Sequence, residues 1–177
     1  MADRPLSERE REILFFLLSA PGLPDAEVLR RQAEVAICCG SCDCGCASIN
    51  LKVDSSAAPQ AHDPPREVVG ASTVDIAGLH EREPLVFRGE DGHFDPAVQP
   101  TDNDLQGAIG SVLWIDDGWL SGIELWIVGD FRRPRTFPPA ELFAPRHRGG
   151  LKPKAERSGS NHLGCASVRE CHRSELP

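Results

Sequence analysis

The stretch Ile37-Cys-Cys-Gly-Ser-Cys-Asp-Cys-Gly-Cys-Ala-Ser-Ile-Asn-Leu-Lys-Val53 contains five of the seven cysteines of the chain. From Ala47 to Val53, apolar and polar side chains alternate, which predicts a half-buried β-strand. A short apolar run over 35–39 predicts a second strand, and Gly40, Ser41 and Gly45 are turn residues. The stretch therefore predicts a β-hairpin whose connection carries the cysteines.

Two helices are predicted before this hairpin. Ser7 and Glu10 have the spacing of a capping box, and an apolar face follows them until Pro21-Gly22 ends the helix. The second helix starts after Pro24, with Asp25 as its predicted N-cap and an apolar side formed by alanines and Leu29. Two short helices with a short link have the size that covers one face of a sheet.

A second hairpin is predicted around Asp117-Gly118, because a two-residue type I′ turn favours this dipeptide between apolar runs. With those two residues as the loop, Trp114 is expected opposite Ser121, and Val112 opposite Ile123. This face is predicted to look onto the helices. The other face, with Leu113 and Leu120, is predicted to be partly covered or exposed. The three tryptophans, all in this hairpin, are expected to form core with one exposed edge.

These elements predict an α+β fold with two N-terminal helices packed on one face of a 4–5-stranded antiparallel sheet. A further strand is predicted at 68–76, and a Pro-rich extended segment is predicted around 137–143. One domain is expected over 1–145, with residues 79–106 as a long surface loop. Residues 146–177 are predicted to be a disordered basic tail, since their few aliphatic residues show no period.

The net charge is unevenly distributed along the chain. The total is −8; residues 144–177 carry seven Lys and Arg against three Glu, so that the rest of the chain carries −12. An acidic body repels phosphate groups, which argues against nucleic acid and anionic lipid as partners. The longest apolar run is far shorter than a membrane span, and no signal sequence is apparent. We therefore expect a cytoplasmic protein, in which a disulfide framework is a poor default.

Metal binding is the most specific chemistry that the cysteines suggest. Cys39 and Cys42 have the two-residue spacing and the glycine of a zinc knuckle, and Cys44 and Cys46 are available as further ligands. Alternate residues of an extended strand lie about 6.5–7 Å apart, too far for two thiolates on one zinc ion. The segment would have to fold back at Gly45.

Two alternatives remain open for the thiols. They can be packed as small hydrophobic side chains or exposed, without binding anything. They can also form a redox pair, Cys39 with Cys42 or Cys44 with Cys46. Against a redox pair, the stretch has Asp43 but no Lys or Arg before Lys52, and a reactive thiol is usually found near a cation.

Several segments resemble a family of small uncharacterised bacterial proteins from high-GC Gram-positive genomes. The similar segments are 6–14, the Cys-x-Cys-Gly-Cys motif with its strand at 42–54, the Asp-Gly-x-Leu-Ser-Gly-x-Glu hairpin at 117–125, and 137–142. The resemblance implies a small α+β protein and carries no reaction, so no functional residue follows from it. Residues 79–106 are longer than it implies, and the tail has no counterpart in it.

No catalytic or cofactor-binding residue is predicted, because the sequence has no phosphate loop, dinucleotide fingerprint or catalytic triad order. Asp116, Asp117 and Glu124 are expected to be turn and surface carboxylates. The predicted function is non-enzymatic, through contact with another protein. The first alternative is a zinc-binding protein that uses the Cys38–Cys46 cluster, and the second is a thiol redox protein. The oligomeric state is not predicted.

Overall fold

A computed structural model describes residues 3–64, 67–70, 76–89, 91–101, 105, 107–129, 131–132 and 134–143. The predicted basic tail at 146–177 lies outside the described residues. The helices are α1 (Glu8–Leu17), α2 (Ala26–Val35), α3 (Ile76–Arg82) and a 3-10 turn (Ala140–Leu142). The strands are β1 (Arg4–Pro5), β2 (Ile37–Ser41), β3 (Ile49–Lys52), β4 (Glu67–Gly70), β5 (Phe87–Arg88), β6 (Phe94–Asp95), β7 (Ala108–Asp116) and β8 (Trp119–Val128).

The main sheet is antiparallel and has the strand order β1-β2-β3-β8-β7-β4. The edge strand β1 is only two residues long. The other five strands of the sheet have four to ten residues each. The helix α1 contacts β7 and β4, and α2 contacts β8. The predicted α+β class and the two N-terminal helices on one face of the sheet are confirmed. Among the described residues, no helix combines the length and apolar character that a membrane crossing requires.

The first helix begins as its sequence predicts. The Ser7 hydroxyl accepts a hydrogen bond from the Glu10 N–H, and the Glu10 carboxylate accepts one from the Ser7 N–H at 2.7 Å. The same carboxylate binds the Arg4 guanidinium through two contacts of 2.6 and 2.7 Å. Because Arg4 lies in β1, this ion pair joins the start of the helix to the sheet edge.

Asp25 stands at the N-cap position of α2 but does not cap it with its side chain. Its φ of 52° is left-handed, and its carboxylate accepts hydrogen bonds from the N–H groups of His62 and Asp63 instead. These two bonds lower the pKa of Asp25. The predicted cap therefore fastens a distant loop to the start of the helix.

The second hairpin has the predicted two-residue turn, with positive φ at both Asp117 and Gly118. Its register shifts by one beyond Ile115, because Ser121 forms a β-bulge and Trp114 pairs with Gly122. The predicted pairing of Trp114 with Ser121 and of Val112 with Ile123 is wrong for this reason.

The bulge also changes which face looks onto the helices. The buried core face consists of Ile109, Leu113, Ile115, Leu120, Ile123 and Leu125, which draws residues from both predicted faces. The register puts Trp114, Trp119 and Trp126 together on the opposite face, and all three are half-buried. The expectation that the tryptophans form core with one exposed edge is therefore wrong, since aliphatic side chains form the core and all three tryptophans lie on the opposite face.

The segment between the two hairpins has more structure than the sequence predicted. Of the predicted strand at 68–76, residues 68–70 belong to β4, residues 71–75 lie outside the described residues, and Ile76 begins α3. Within the predicted surface loop, β5 and β6 form a small two-stranded sheet. Leu79 and Phe87 are buried, and Phe87 packs against Phe131 with ring centroids 5.9 Å apart.

Gln32 joins α2 to the turn of the second hairpin and is completely buried. Its amide nitrogen donates to the carbonyls of Pro59 and Gly118 at 2.8 and 2.9 Å, and its amide oxygen accepts from the Leu120 N–H at 3.0 Å. A buried backbone group that loses its partner costs about 1–3 kcal/mol.

We expect Gln32→Leu to lower the free energy of unfolding by about 2–3 kcal/mol, because it leaves the buried Leu120 N–H without its acceptor. Urea unfolding measures this loss. Gln60→Leu is the control, because its amide donates to the Asp117 carbonyl at an exposed position. Equal effects of the two substitutions would contradict the role of Gln32.

The stability of the fold should also depend on Glu10 at acid pH. Burial raises the pKa of this carboxyl, but its bonds to Arg4 and Ser7 outweigh burial and lower the pKa below the ordinary value of 4.5. The carboxylate thus stabilises the folded state above that value, and the contribution is lost as the pH falls through the lowered pKa. Urea unfolding of Glu10→Gln at pH 7 and pH 3 should show a smaller loss of stability on acidification than the unsubstituted protein.

Candidate metal centre

The connection between β2 and β3 is a tight loop over 42–48. The Cys42 N–H donates to the Ser48 carbonyl and closes the loop at 3.0 Å, and the Gly45 N–H donates to the Cys42 carbonyl at 3.0 Å. Gly45 has a φ of 75°, which glycine adopts without strain. The chain folds back at Gly45, and this removes the distance objection that an extended segment raises.

Three sulfur atoms converge as a result of this turn. The Sγ atoms of Cys42, Cys44 and Cys46 all lie within 4.8 Å of one another. Those of Cys42 and Cys44 are 3.1 Å apart, longer than the ~2.05 Å of a disulfide. Thiolates that share a tetrahedral zinc ion lie about 3.8 Å apart, given Zn–S bonds of about 2.3 Å. Small side-chain movements would bring the three sulfurs to this spacing, so they could hold a metal ion.

The fourth predicted ligand stands elsewhere. Cys39 is the bulged residue of β2, between Cys38, which pairs with Leu51, and Gly40, which pairs with Asn50. It is half-buried and is not a member of the three-sulfur group. The structure thus brings together three of the four predicted ligands. The neighbouring Cys38 faces the core, as the packed-thiol alternative expects of some cysteines, and its Sγ donates to the Gly40 carbonyl at 3.2 Å.

The three cysteines differ in their access to solvent. Cys42 and Cys46 are 7% and 5% exposed, whereas Cys44 is exposed. An ion bound to all three would therefore have protein on one side and solvent on the other. This arrangement differs from a structural zinc site enclosed by four protein ligands.

Ser48 is a part of the site that the sequence did not indicate. Its hydroxyl oxygen is completely buried, lies 3.3 Å from the Sγ of Cys46 and accepts a hydrogen bond from the Leu125 N–H at 2.9 Å. When Cys46 binds a metal as a thiolate it can only accept, so the Ser48 O–H would donate to it. Alternation over 47–53 puts Ser48 on the polar face of the predicted strand, opposite the face of Ile49 and Leu51, whereas the structure buries it completely.

A second contact holds the loop from the other side. The Ala47 N–H donates to the Pro134 carbonyl at 3.0 Å. Pro134 precedes the extended segment in which Phe137 and Phe143 are buried. The loop over 42–48 is therefore fixed to β8 through Ser48 and to the chain after β8 through Ala47.

Two of the carboxylates considered above have structural roles. The Glu124 carboxylate accepts from the Trp114 indole N–H at 3.1 Å, and Asp117 forms the hairpin turn. A histidine of α3 also has a structural role: His80 accepts from the Leu85 N–H at 2.9 Å and packs edge-on against Phe87. An open cleft of about 530 Å³ beside the Asp117-Gly118 turn is lined mainly by residues 60–64 and is polar. Its described lining residues include no serine, threonine or cysteine that could act as a nucleophile beside His62.

We expect Ser48→Ala to weaken both the fold and the site. The buried Leu125 N–H would lose its acceptor, which lowers the free energy of unfolding by about 1–3 kcal/mol. For a metal ion held by the three thiols, loss of the hydroxyl beside Cys46 should lower the affinity about 10-fold or more. Urea unfolding and chelator competition measure the two effects.

Ser111→Ala is the matched control, because the Ser111 hydroxyl is also buried but has no hydrogen-bond partner among the described residues. Its removal should leave the stability unchanged or slightly higher and the zinc affinity unchanged. If both alanine variants behave alike, the Ser48 hydroxyl does not support the loop.

Comparisons with known proteins add no function to this geometry. No protein-family model, curated protein sequence or solved structure matches the chain. The resemblance to the small bacterial family therefore stays a prediction. The candidate metal site is therefore supported by the positions of its own three sulfur atoms.

Proposed function

We propose that the protein binds one zinc ion through the thiolates of Cys42, Cys44 and Cys46. The observation that carries this proposal is the convergence of the three sulfurs within 4.8 Å around the Gly45 turn. Soft thiolate ligands favour zinc, Cu(I) or iron–sulfur clusters over hard cations such as magnesium and calcium. Zinc has no redox chemistry and no geometric preference of its own, so it tolerates a site formed by a short loop.

The hydrogen bonds that hold the loop suggest that metal binding would stabilise the fold. Ser48 and Ala47 fix the loop to the sheet and to the segment after it. An ion that links three residues of this loop would stabilise the same region, since metal binding to the folded state adds to folding stability. The proposed role is that of a small zinc-binding protein, with no chemical step assigned.

Two other functions expected from the sequence stay predictions. Contact with another protein could use the face of β7 and β8 that carries the three half-buried tryptophans, a residue type enriched at interfaces. A thiol redox role would best suit Cys42 and Cys44, whose sulfur atoms lie 3.1 Å apart. This pair differs from the two redox pairs that the sequence suggested. Zinc binding uses all three convergent thiols, and we therefore place it first.

The test is metal analysis of the full chain, purified under reducing conditions and reconstituted with zinc. We expect one zinc ion per chain. Apparent binding energies of about 10–16 kcal/mol for structural zinc, shared among three or four ligands, imply that losing one ligand costs about 100-fold or more in affinity. Serine substitution of Cys42, Cys44 or Cys46 should each have this effect in competition with a chromophoric chelator.

Cys39→Ser is the matched control, because it removes a thiol from the same hairpin but outside the three-sulfur group. It should retain the zinc ion with nearly unchanged affinity. The proposal fails if the unsubstituted chain binds no zinc, or if Cys44→Ser binds it as tightly as Cys39→Ser does.

A further inference from the structure

We propose that a zinc ion on Cys42, Cys44 and Cys46 takes a thiolate from outside the chain as its fourth ligand. This inference rests on the proposed zinc site and names the chemistry of what binds there. It concerns an open coordination position rather than the three protein ligands.

The position follows from where the three donors lie. All three come from one turn of five residues, and the two outer cysteines are buried while Cys44 is exposed. An ion that touches the three sulfurs has Cys42 and Cys46 on its protein side. Because Cys44 is exposed, solvent reaches its side of the group, and we place the remaining coordination position there.

The number of ligands points to the same position. Zinc in proteins is almost always four-coordinate, and sites with three protein ligands hold water or a bound molecule in the fourth place. Within the described ranges, the group of His, Cys, Asp and Glu side chains that converges here has three members. With these three described side chains as its only protein ligands, a zinc ion would take a water or a bound molecule in the fourth place.

A thiolate fits this position better than a harder ligand does. Three thiolates already make the site soft, and four thiolates form a common zinc environment. On binding, the incoming thiol loses its proton to the solvent and displaces the zinc-bound water, so one Zn–O bond breaks and one Zn–S bond forms. No electron is transferred, and no oxidant or reductant is needed.

The consequence is a class of partner. A second incoming thiolate can then displace a protein thiolate, which takes up a proton from the solvent, so that one Zn–S bond forms as another breaks. Repeated exchange of this kind passes the ion to a thiol-bearing acceptor. The acceptor thiol can belong to a small molecule or to a cysteine side chain. Both sources offer the same sulfur ligand.

The test uses the full chain loaded with one Co²⁺ ion, whose charge-transfer absorbance reports the number of bound thiolates. Addition of 2-mercaptoethanol should raise this absorbance by about a third with saturation, because the number of cobalt–thiolate bonds rises from three to four. Ethylene glycol, with hydroxyls in place of the thiol, should leave it unchanged. A cysteine-containing peptide forms the second arm and shows whether a peptide-borne thiol also reaches the ion.

The outcomes separate this inference from the proposed function. A saturable rise with either thiol supports it, and the arm that responds identifies the source. An unchanged spectrum, while the d–d bands show that cobalt stays bound, would overturn it. A four-thiolate spectrum before any thiol is added, lost in Cys39→Ser or in the Cys165→Ser, Cys171→Ser double variant, would also overturn it. Failure of cobalt to bind at all would defeat the proposed site itself.

Discussion

The antiparallel pairing of β3 with β8 is the interaction on which the rest of the structure depends. It is short, with Ile49 opposite Ile123 and Asn50 opposite Gly122, yet it joins the cysteine hairpin to the tryptophan hairpin in one sheet. At the end of this pairing the Ser48 hydroxyl takes the place of a backbone acceptor and binds the Leu125 N–H. The Leu125 N–H therefore keeps a hydrogen-bond acceptor where the backbone pairing of β3 with β8 ends.

The same junction determines what the cysteine loop can do. Because the loop is tied to β8 by Ser48 and to the chain after β8 by Ala47, its three sulfurs are positioned by buried contacts rather than by the loop alone. A site positioned in this way pays less conformational entropy on binding an ion than a flexible segment would. The exposed Cys44 leaves such a site open to exchange with the solvent.

Features determined by neighbouring residues could be predicted from the sequence. The capping box of Ser7 and Glu10 and the type I′ turn at Asp117-Gly118 each depend on two nearby residues, and both are present. The two hairpins and the helices on one face follow from periodicity. The need for a turn at Gly45 followed from the distance between alternate residues of a strand.

Features determined by distant residues could not be predicted in this way. The bulge at Ser121 adds one residue to β8 and thereby shifts the hairpin register. As a result, aliphatic residues of both strands lie on the core face. Asp25 binds N–H groups 37 and 38 residues away, and the completely buried Ser48 binds an N–H of β8, 77 residues away. For the site, local spacing identified the right stretch, but only the fold shows that Cys39 lies apart from the other three predicted ligands.

The placement of the tryptophans has a consequence for spectroscopy. The chain has three tryptophans and no tyrosine, and all three tryptophans lie on the outer face of a single hairpin. The intrinsic fluorescence of the protein therefore originates from β7 and β8 alone. Emission spectra will report the environment of that one surface, and quenchers dissolved in the buffer will reach its half-buried indoles without any unfolding of the aliphatic interior.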